Sequence, residues 1–431
     1  MVEQMLNDRT LLPDDEPPKP FETRYKDRKH RVQTLFGPIV LRRSYYHHRK
    51  SGTGRSPLDE ALDLVGNGHT PALARLICHA STLSDSYEQA AQDLNTFSGL
   101  QLNSRSFARL VAEVAPSLRE ALSALPAAAS PTAPASAAST LKSAPTASSA
   151  KAAITVLYLS SDGTGVPMRR EELKDIKGKQ PDGSAHTREV KLGCVFTQSG
   201  TDEQGDPIRN PGSTSYVGTF AGCREAGVQL YQEALRRGYG MVKQVNYIGD
   251  GSAWVWENAR LNFPGATQTL DFYHASEHVG ILARALWGND ADKAKEKQEQ
   301  WCHQMKATDA VGIVAEAKDL LDTSHSLSAL QRAEAEREIA YFTTHAQRTK
   351  YGEFRAKGWF IGSGVIEAGC KTVVGRRLKQ SGMFWSQRGG EDLVSLRCLI
   401  IGPHFDAAWQ GRRKILAKER AKAKRWSASK N

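Results

Sequence analysis

Apolar and polar positions change period along the chain, and the changes divide it. The stretch "RVQTLFGPIVLRRSYYHH", Arg31 to His48, alternates apolar and polar residues on both sides of a Gly-Pro pair, which predicts a β-hairpin. From Pro71 to Leu125 the apolar residues fall at helical spacing, as in "ARLICHAS" and "SFARLVAEV". Within it, "YEQAAQDLNTFSGLQLNSRSFARL" (Tyr87 to Leu110) predicts a first helix with small Ala90 and Ala91, a turn at Gly99, and a second helix capped by Ser104 that exposes Arg105 and Arg109. That is the layout of a helix-turn-helix, whose second helix reads the major groove of DNA, and plain helical bundles contain the same pairs. Hairpin and helices form one expected DNA-binding region, residues 31–124. Residues 1–30, polar and proline-rich in "LLPDDEPPKP", are expected to be a disordered or truncated terminus.

Residues 125–153 ("LPAAASPTAPASAASTLKSAPTASSAKAA") are almost wholly Ala, Ser, Pro and Thr, too poor in large apolar side chains to repay ordering, and read as a linker. Beyond it the period shortens. "ITVLYLSSDGTGVP" predicts a buried strand ending at Asp162, "EVKLGCVFTQSG" and "STSYVGTF" two more, and "REAGVQLYQEALRRG" an amphipathic helix. "QVNYIGDGSAWVWENA" is a strand breaking off at Asp250 before a helix, and "TQTLDFYHASEHV" begins as another strand. Residues 154–278 are therefore expected to be an α/β unit with a mixed sheet. Residues 279–357 are helical and charged without a strand pattern, an all-α insertion, after which 358–403 return to the sheet with Glu367 and 404–431 form a basic tail.

The formal net charge of +11 favours a polyanionic partner, because each cation set on a phosphate releases a condensed counterion. The excess lies between Lys371 and Lys379 and in "GRRKILAKERAKAKRW", which reads equally well as a solvated helix end. Six cysteines at wide spacing, without a Cys-x-x-Cys pair or a secretory leader, point away from a disulfide framework and toward a reducing compartment. No apolar run approaches the roughly 20 residues of a membrane span. The expectation is a cytoplasmic, nucleoid-associated protein.

Three carboxylates stand out by context: Asp162 and Asp250 after strands, and Glu367 at the head of "GSGVIEAGCKTVVGRRLKQSGMFW". Acids ending neighbouring strands project from one sheet edge, and a helix across that edge brings Glu367 to them. Such a set would hold two Mg²⁺ ions, for which Mn²⁺ can substitute, suited to phosphodiester chemistry. Gly163, Gly165 and Gly251 beside the acids would let a DNA backbone approach. The bland alternative is that an Asp before Gly caps a turn. Lys371, Arg376, Arg377 and Lys379 would grip phosphates, and Trp385 or Phe384 would stack on an unpaired base or else fill the core.

The blocks "YLSSDGTGVP", "NYIGDGSAWVW", "TLDFYHASEHV" and "GSGVIEAGCKTVVGRRLKQSGMFWS" resemble the catalytic half of bacterial insertion-sequence transposases of the ISKra type, DDE enzymes with an RNase H-like fold. The resemblance spans about Ile154 to Pro403. It implies that Asp162, Asp250 and Glu367 are the metal-binding triad, that the helical insertion is a family feature, and that "DFYH" matches a Cys-or-Asp-x-x-His motif with Asp271 and His274. A structural or DNA-positioning role is expected for those two; a zinc site with His278 lacks further ligands. Where the family often carries a Cys-x-x-Cys pair, this chain has His48 and Ser51. The implied activity is cleavage at transposon ends and strand transfer into target DNA, by a homodimer or larger assembly. A DNA-binding protein without catalysis and a simple metal-dependent nuclease are the competing classes.

Overall fold

The computed structural model describes residues 2–8, 16–128, 155–174, 185–288, 290–324 and 326–428. Most of the stretch read as a linker, residues 129–153, lies outside the described residues.

The N-terminal part opens with a long ribbon. Strands β1 (Glu22–Thr34) and β2 (Gly37–His48) pair antiparallel, and β3 (Gly54–Arg55) adds to β2. The turn is Leu35–Phe36, closed by the pairing of Thr34 with Gly37, whose φ of +103° only glycine adopts without strain. The ribbon begins at Glu22, inside the segment expected to be disordered. Its first half carries charged residues on exposed positions, so it lacks an apolar alternation, and the ladder to β2 orders it instead.

Three helices follow, Pro71–Leu83, Tyr87–Ser98 and Ser104–Ser123. Gly99 ends the second in the left-handed region, and the third is capped by the side chain of Asn103, not by Ser104.

The α/β unit is a mixed sheet built from β4 (Val156–Pro167), β5 (Thr187–Thr201), β6 (Pro207–Arg209), β7 (Ser215–Thr219), β8 (Gln244–Gly249) and β9 (Thr267–Leu270). Its order is β6-β5-β4-β8-β9, with β7 also on β5. β4, β5 and β7 run antiparallel, while β4, β8 and β9 run parallel and are joined by helices Cys223–Arg236 and Ala253–Asn262. A central strand with an antiparallel meander on one side and parallel crossovers on the other is the RNase H-like arrangement. The first six residues of β4 are buried, as a strand covered on both faces requires.

Helix Phe272–Trp287 leaves the sheet edge and runs straight into an all-helical insertion with Ala291–Ala307, Val311–Thr323 and Ala329–His345, packed around Trp301, Ile313 and Phe342. The chain returns through Gly364–Gly369, a π-helical turn Cys370–Gly375 and Arg376–Leu378. Helix Gln387–Ile401 then serves two cores. Leu393, Val394 and Cys398 face the sheet, whereas Leu396 and Leu399 join Phe107, Leu110 and Val114 of the N-terminal helices.

The segment expected to be a basic tail is largely the helix Phe405–Ala428, whose Phe405, Ala408 and Ile415 complete that second core. Buried Arg412 bonds buried Asp63 at 2.7 Å across it. The parts on either side of the Ala/Ser/Pro stretch therefore share a core. Among the described residues no helix is long and apolar enough to cross a membrane.

Candidate active site

Asp162 does not end its strand. β4 runs on to Pro167 because β5 continues to pair with it, Asp162 opposite Leu192 and Gly165 opposite Glu189. The parallel neighbour β8 stops earlier, its last pair being Ser160 with Ile248, so Asp162 sits just past that point. Gly163 and Gly165 do not leave room for a DNA backbone on the side where a Cβ would lie: the side chains of Glu189 and Thr187 fill it.

Asp250 follows the end of β8 and folds into a local turn, its carboxylate accepting from the Ser252 amide (3.0 Å) and hydroxyl (2.9 Å). Gly251, at φ +95°, makes that turn, and the ring of Tyr341 from the insertion packs where its side chain would be.

Glu367 lies in the first turn of its helix and accepts from the Ser363 hydroxyl at 2.9 Å. The Ser363 amide donates to Asp271 at 2.8 Å, and the other oxygen of Asp271 caps helix Phe272–Trp287 through the His274 amide at 2.9 Å. Asp271 and Ser363 thus tie the end of β9 to the start of the Glu367 helix. Sequence reading missed Ser363: a serine between glycines carries no periodic signal.

Asp162, Asp250 and Glu367 line one cleft of about 300 Å³, together with Asp271, His274 and Glu277. Five carboxylates border it, and among the described residues its lining contains no lysine or arginine. Burial pushes the Asp162 carboxyl above its ordinary range; bonds from the Cys370 thiol and the Gly163 amide oppose this, and the charges of Asp250 and Glu367 add to it. Burial raises Asp271 as well, against the amides of Ser363 and His274. Such oxygen donors suit a hard cation such as Mg²⁺. Among the described residues no three acids, histidines or cysteines already stand in a metal-ligating arrangement, so these side chains would have to converge on an ion.

His274 and His278 share one face of their helix, Nε2 to Nε2 at 3.3 Å, and His278 Nδ1 meets buried Glu338 at 2.6 Å while its ring stacks on Tyr341. Among the described residues no third ligand stands with these two rings, so a zinc site there has no further support. Burial, with Arg348 and both histidines nearby, pulls His345 down to about 4. His48 and Ser51 simply bond each other within a turn (2.9 Å).

The basic segment divides. Lys371, Arg376 and Lys379 are exposed, with Lys379 on the Thr164 hydroxyl. Arg377 is 1% exposed: its Nε donates to the Ser81 carbonyl and its guanidinium lies over the rings of Tyr87 and Trp385, so it pins the helix to the N-terminal part and does not reach phosphates. Trp385 is half-buried and donates to the Leu378 carbonyl (3.0 Å), which removes it from base stacking and leaves exposed Phe384. Arg105 and Arg109 are exposed, away from the cleft lining.

Residues 8–125 match the profile described as "Uncharacterised protein family (UPF0236)". No protein of curated function matches the sequence. Among solved structures, the chain is similar to the one titled "Drosophila P element transposase strand transfer complex", at 10% identity over 80% of this chain and 80% of that chain, with a TM-score of 0.24.

Proposed function

We propose that this chain is a DNA transposase of the ISKra insertion-sequence type, which cleaves phosphodiester bonds at transposon ends and transfers the freed 3′-hydroxyl into target DNA. The observation that carries the reading is that Asp162, Asp250 and Glu367, far apart in sequence and on three different elements, line one cleft with no lysine or arginine among the described residues of its lining.

Asp162, Asp250 and Glu367 would hold the Mg²⁺ ions, and bound ions would supply the activated hydroxyl and the stabilisation of the leaving oxygen. The chain's own residues do the rest. Ser252 and Ser363 aim two of the carboxylates, Asp271 holds Ser363, and Lys371, Arg376 and Lys379, in the turns that follow the Glu367 helix, offer cations to the phosphates beside the cut. Arg105 and Arg109 at the start of helix Ser104–Ser123 would address the transposon end. Two ends cut in concert call for at least a homodimer.

The test incubates purified protein with duplex DNA carrying the terminal repeats plus Mg²⁺, comparing wild type with Asp250→Asn and Glu367→Gln. Strand-joined product that both variants lose supports the reading. Cleavage without joining makes the chain a nuclease, and binding with no Mg²⁺-dependent product makes it a non-catalytic DNA binder.

A further inference from the structure

The β1–β2 ribbon has no part in the cleft, yet its outer face is built in an unusual way. Thirteen and twelve residues long, it spans roughly 40 Å. Near its tip one face buries Val32 and Leu41, whereas Lys29, Arg31 and Arg42 are exposed on the other. Lys29 stands directly opposite Arg42, and Arg28 opposite Arg43. Like charges facing each other across a ladder destabilise a sheet. Arg43 is offset by Asp59 at 2.7 Å and Arg42 by an exposed pair with Asp27 at 2.8 Å, while Lys29 and Arg31 have no ion-pair partner among the described residues.

The edge of β2 is occupied: Glu3 accepts from the Val40 amide, and Asn7 bonds the Val40 carbonyl and the Arg42 amide. On that side the ribbon offers a face and not a strand edge, and the outer edge of β1 is bonded at Gln33 to Gly68 and Thr70. At its tip Phe36 is 87% exposed.

We propose that this ribbon is a second DNA-binding surface, which lies along duplex DNA and sets Lys29, Arg31 and Arg42 on the phosphates. The proposal rests on the reading of the chain as a protein that works on DNA. A polyanion reverses the sign of the cross-strand repulsion, since each cation then neutralises a phosphate in place of opposing its neighbour. Two strands fit the major groove, about 12 Å wide, and an apolar tip suits sugar and base edges better than water.

The test measures binding of the full chain to an end-labelled, random-sequence DNA duplex over a range of salt, for wild type and for Lys29→Gln combined with Arg31→Gln. Both side chains are exposed, so the variant is expected to melt like wild type. Its affinity should fall by about tenfold or more at low salt, and the slope of log K against log salt should shrink by about 2, near 0.9 for each lost phosphate contact. In wild type, acetylation of Lys29 should be slowed by the duplex. Unchanged affinity and slope, or a Lys29 that the duplex leaves unprotected, overturns the ribbon while DNA binding elsewhere stands. Tighter binding of the matching RNA duplex overturns the assignment to DNA. A wild type that binds no duplex removes the ribbon and the transposase reading together.

Discussion

The cleft and the junction between the N- and C-terminal parts treat charge in opposite ways. At the junction Arg412 and Asp63 are buried and paired at 2.7 Å, and Arg377 lies between two aromatic rings with its Nε on a carbonyl. In the cleft, five carboxylates gather beside one histidine, His274, with no lysine or arginine among the described residues that line it. Buried charges that meet partners serve cohesion. Like charges gathered without one raise the energy of the fold, and a chain keeps them where something outside it completes the set.

The largest effect that separates the two regions is on chemistry alone. Asp250→Asn and Glu367→Gln are expected to lower cleavage and joining by about 10²–10³-fold, the scale of losing one group that stabilises transition-state charge. Their melting should stay within about 0.5 kcal/mol of wild type, as expected for accessible positions. A variant that loses activity only because it unfolds would erase the contrast.

The junction should fail the other way. Arg412→Ala strands Asp63 without its main partner and is expected to cost about 3 kcal/mol in urea unfolding, with exposed Arg413 at 3.5 Å offsetting part of the loss. Replacing Arg412 by Met together with Asp63 by Asn, which suits the φ of +50° at that position, should recover part of it. A cost below about 1 kcal/mol for the single variant would mean that the pair contributes little, and the comparison would lose one side.

Ser363 sharpens the comparison within the cleft, because it touches Glu367 without belonging to the carboxylate set. Ser363→Ala keeps the amide bond to Asp271 and removes only the hydroxyl on Glu367. The turnover rate should drop about 10–100-fold, the range for groups that orient a ligand, with DNA affinity unchanged. Ser363→Thr, which restores a hydroxyl, should recover part of the rate. An equal loss in both variants would point to packing around Ser363 as the cause.

What the sequence revealed follows the same division. Asp162, Asp250 and Glu367 were legible because each sits where an apolar run breaks or a helix begins, and because their blocks resemble a known family. The course of β4 past Asp162 was not, since Gly163 and Gly165 look like a turn locally and only pairing with β5 holds them extended. Arg377 looked like its neighbours Arg376 and Lys379; Tyr87 and Ser81, distant in sequence, bury it. The first half of the ribbon had no apolar alternation to read. Local patterns marked the acids, and long-range contacts decided which cations became structure.

The smallest expected effect concerns Asp162 and tests whether the cleft is unsatisfied without metal. Its carboxyl is raised by burial and by Asp250 and Glu367, so the folded protein holds that proton more tightly than the unfolded chain does. The contribution is therefore most favourable below the ordinary carboxylate range and is lost as pH rises through the folded value. At neutral pH ionised Asp162 is a standing cost, and Asp162→Asn should stabilise the metal-free protein by about 1 kcal/mol, a gain that fades near pH 4. Melting curves across that range, with and without Mg²⁺, check it. Added Mg²⁺ should stabilise wild type and leave the Asn variant nearly unmoved, closing or reversing the gap, since an ion that binds only the folded state raises stability by mass action. Equal melting of the two proteins at every pH without metal would show that Asp162 is already satisfied, and the electrostatic contrast between cleft and junction would no longer hold at that residue.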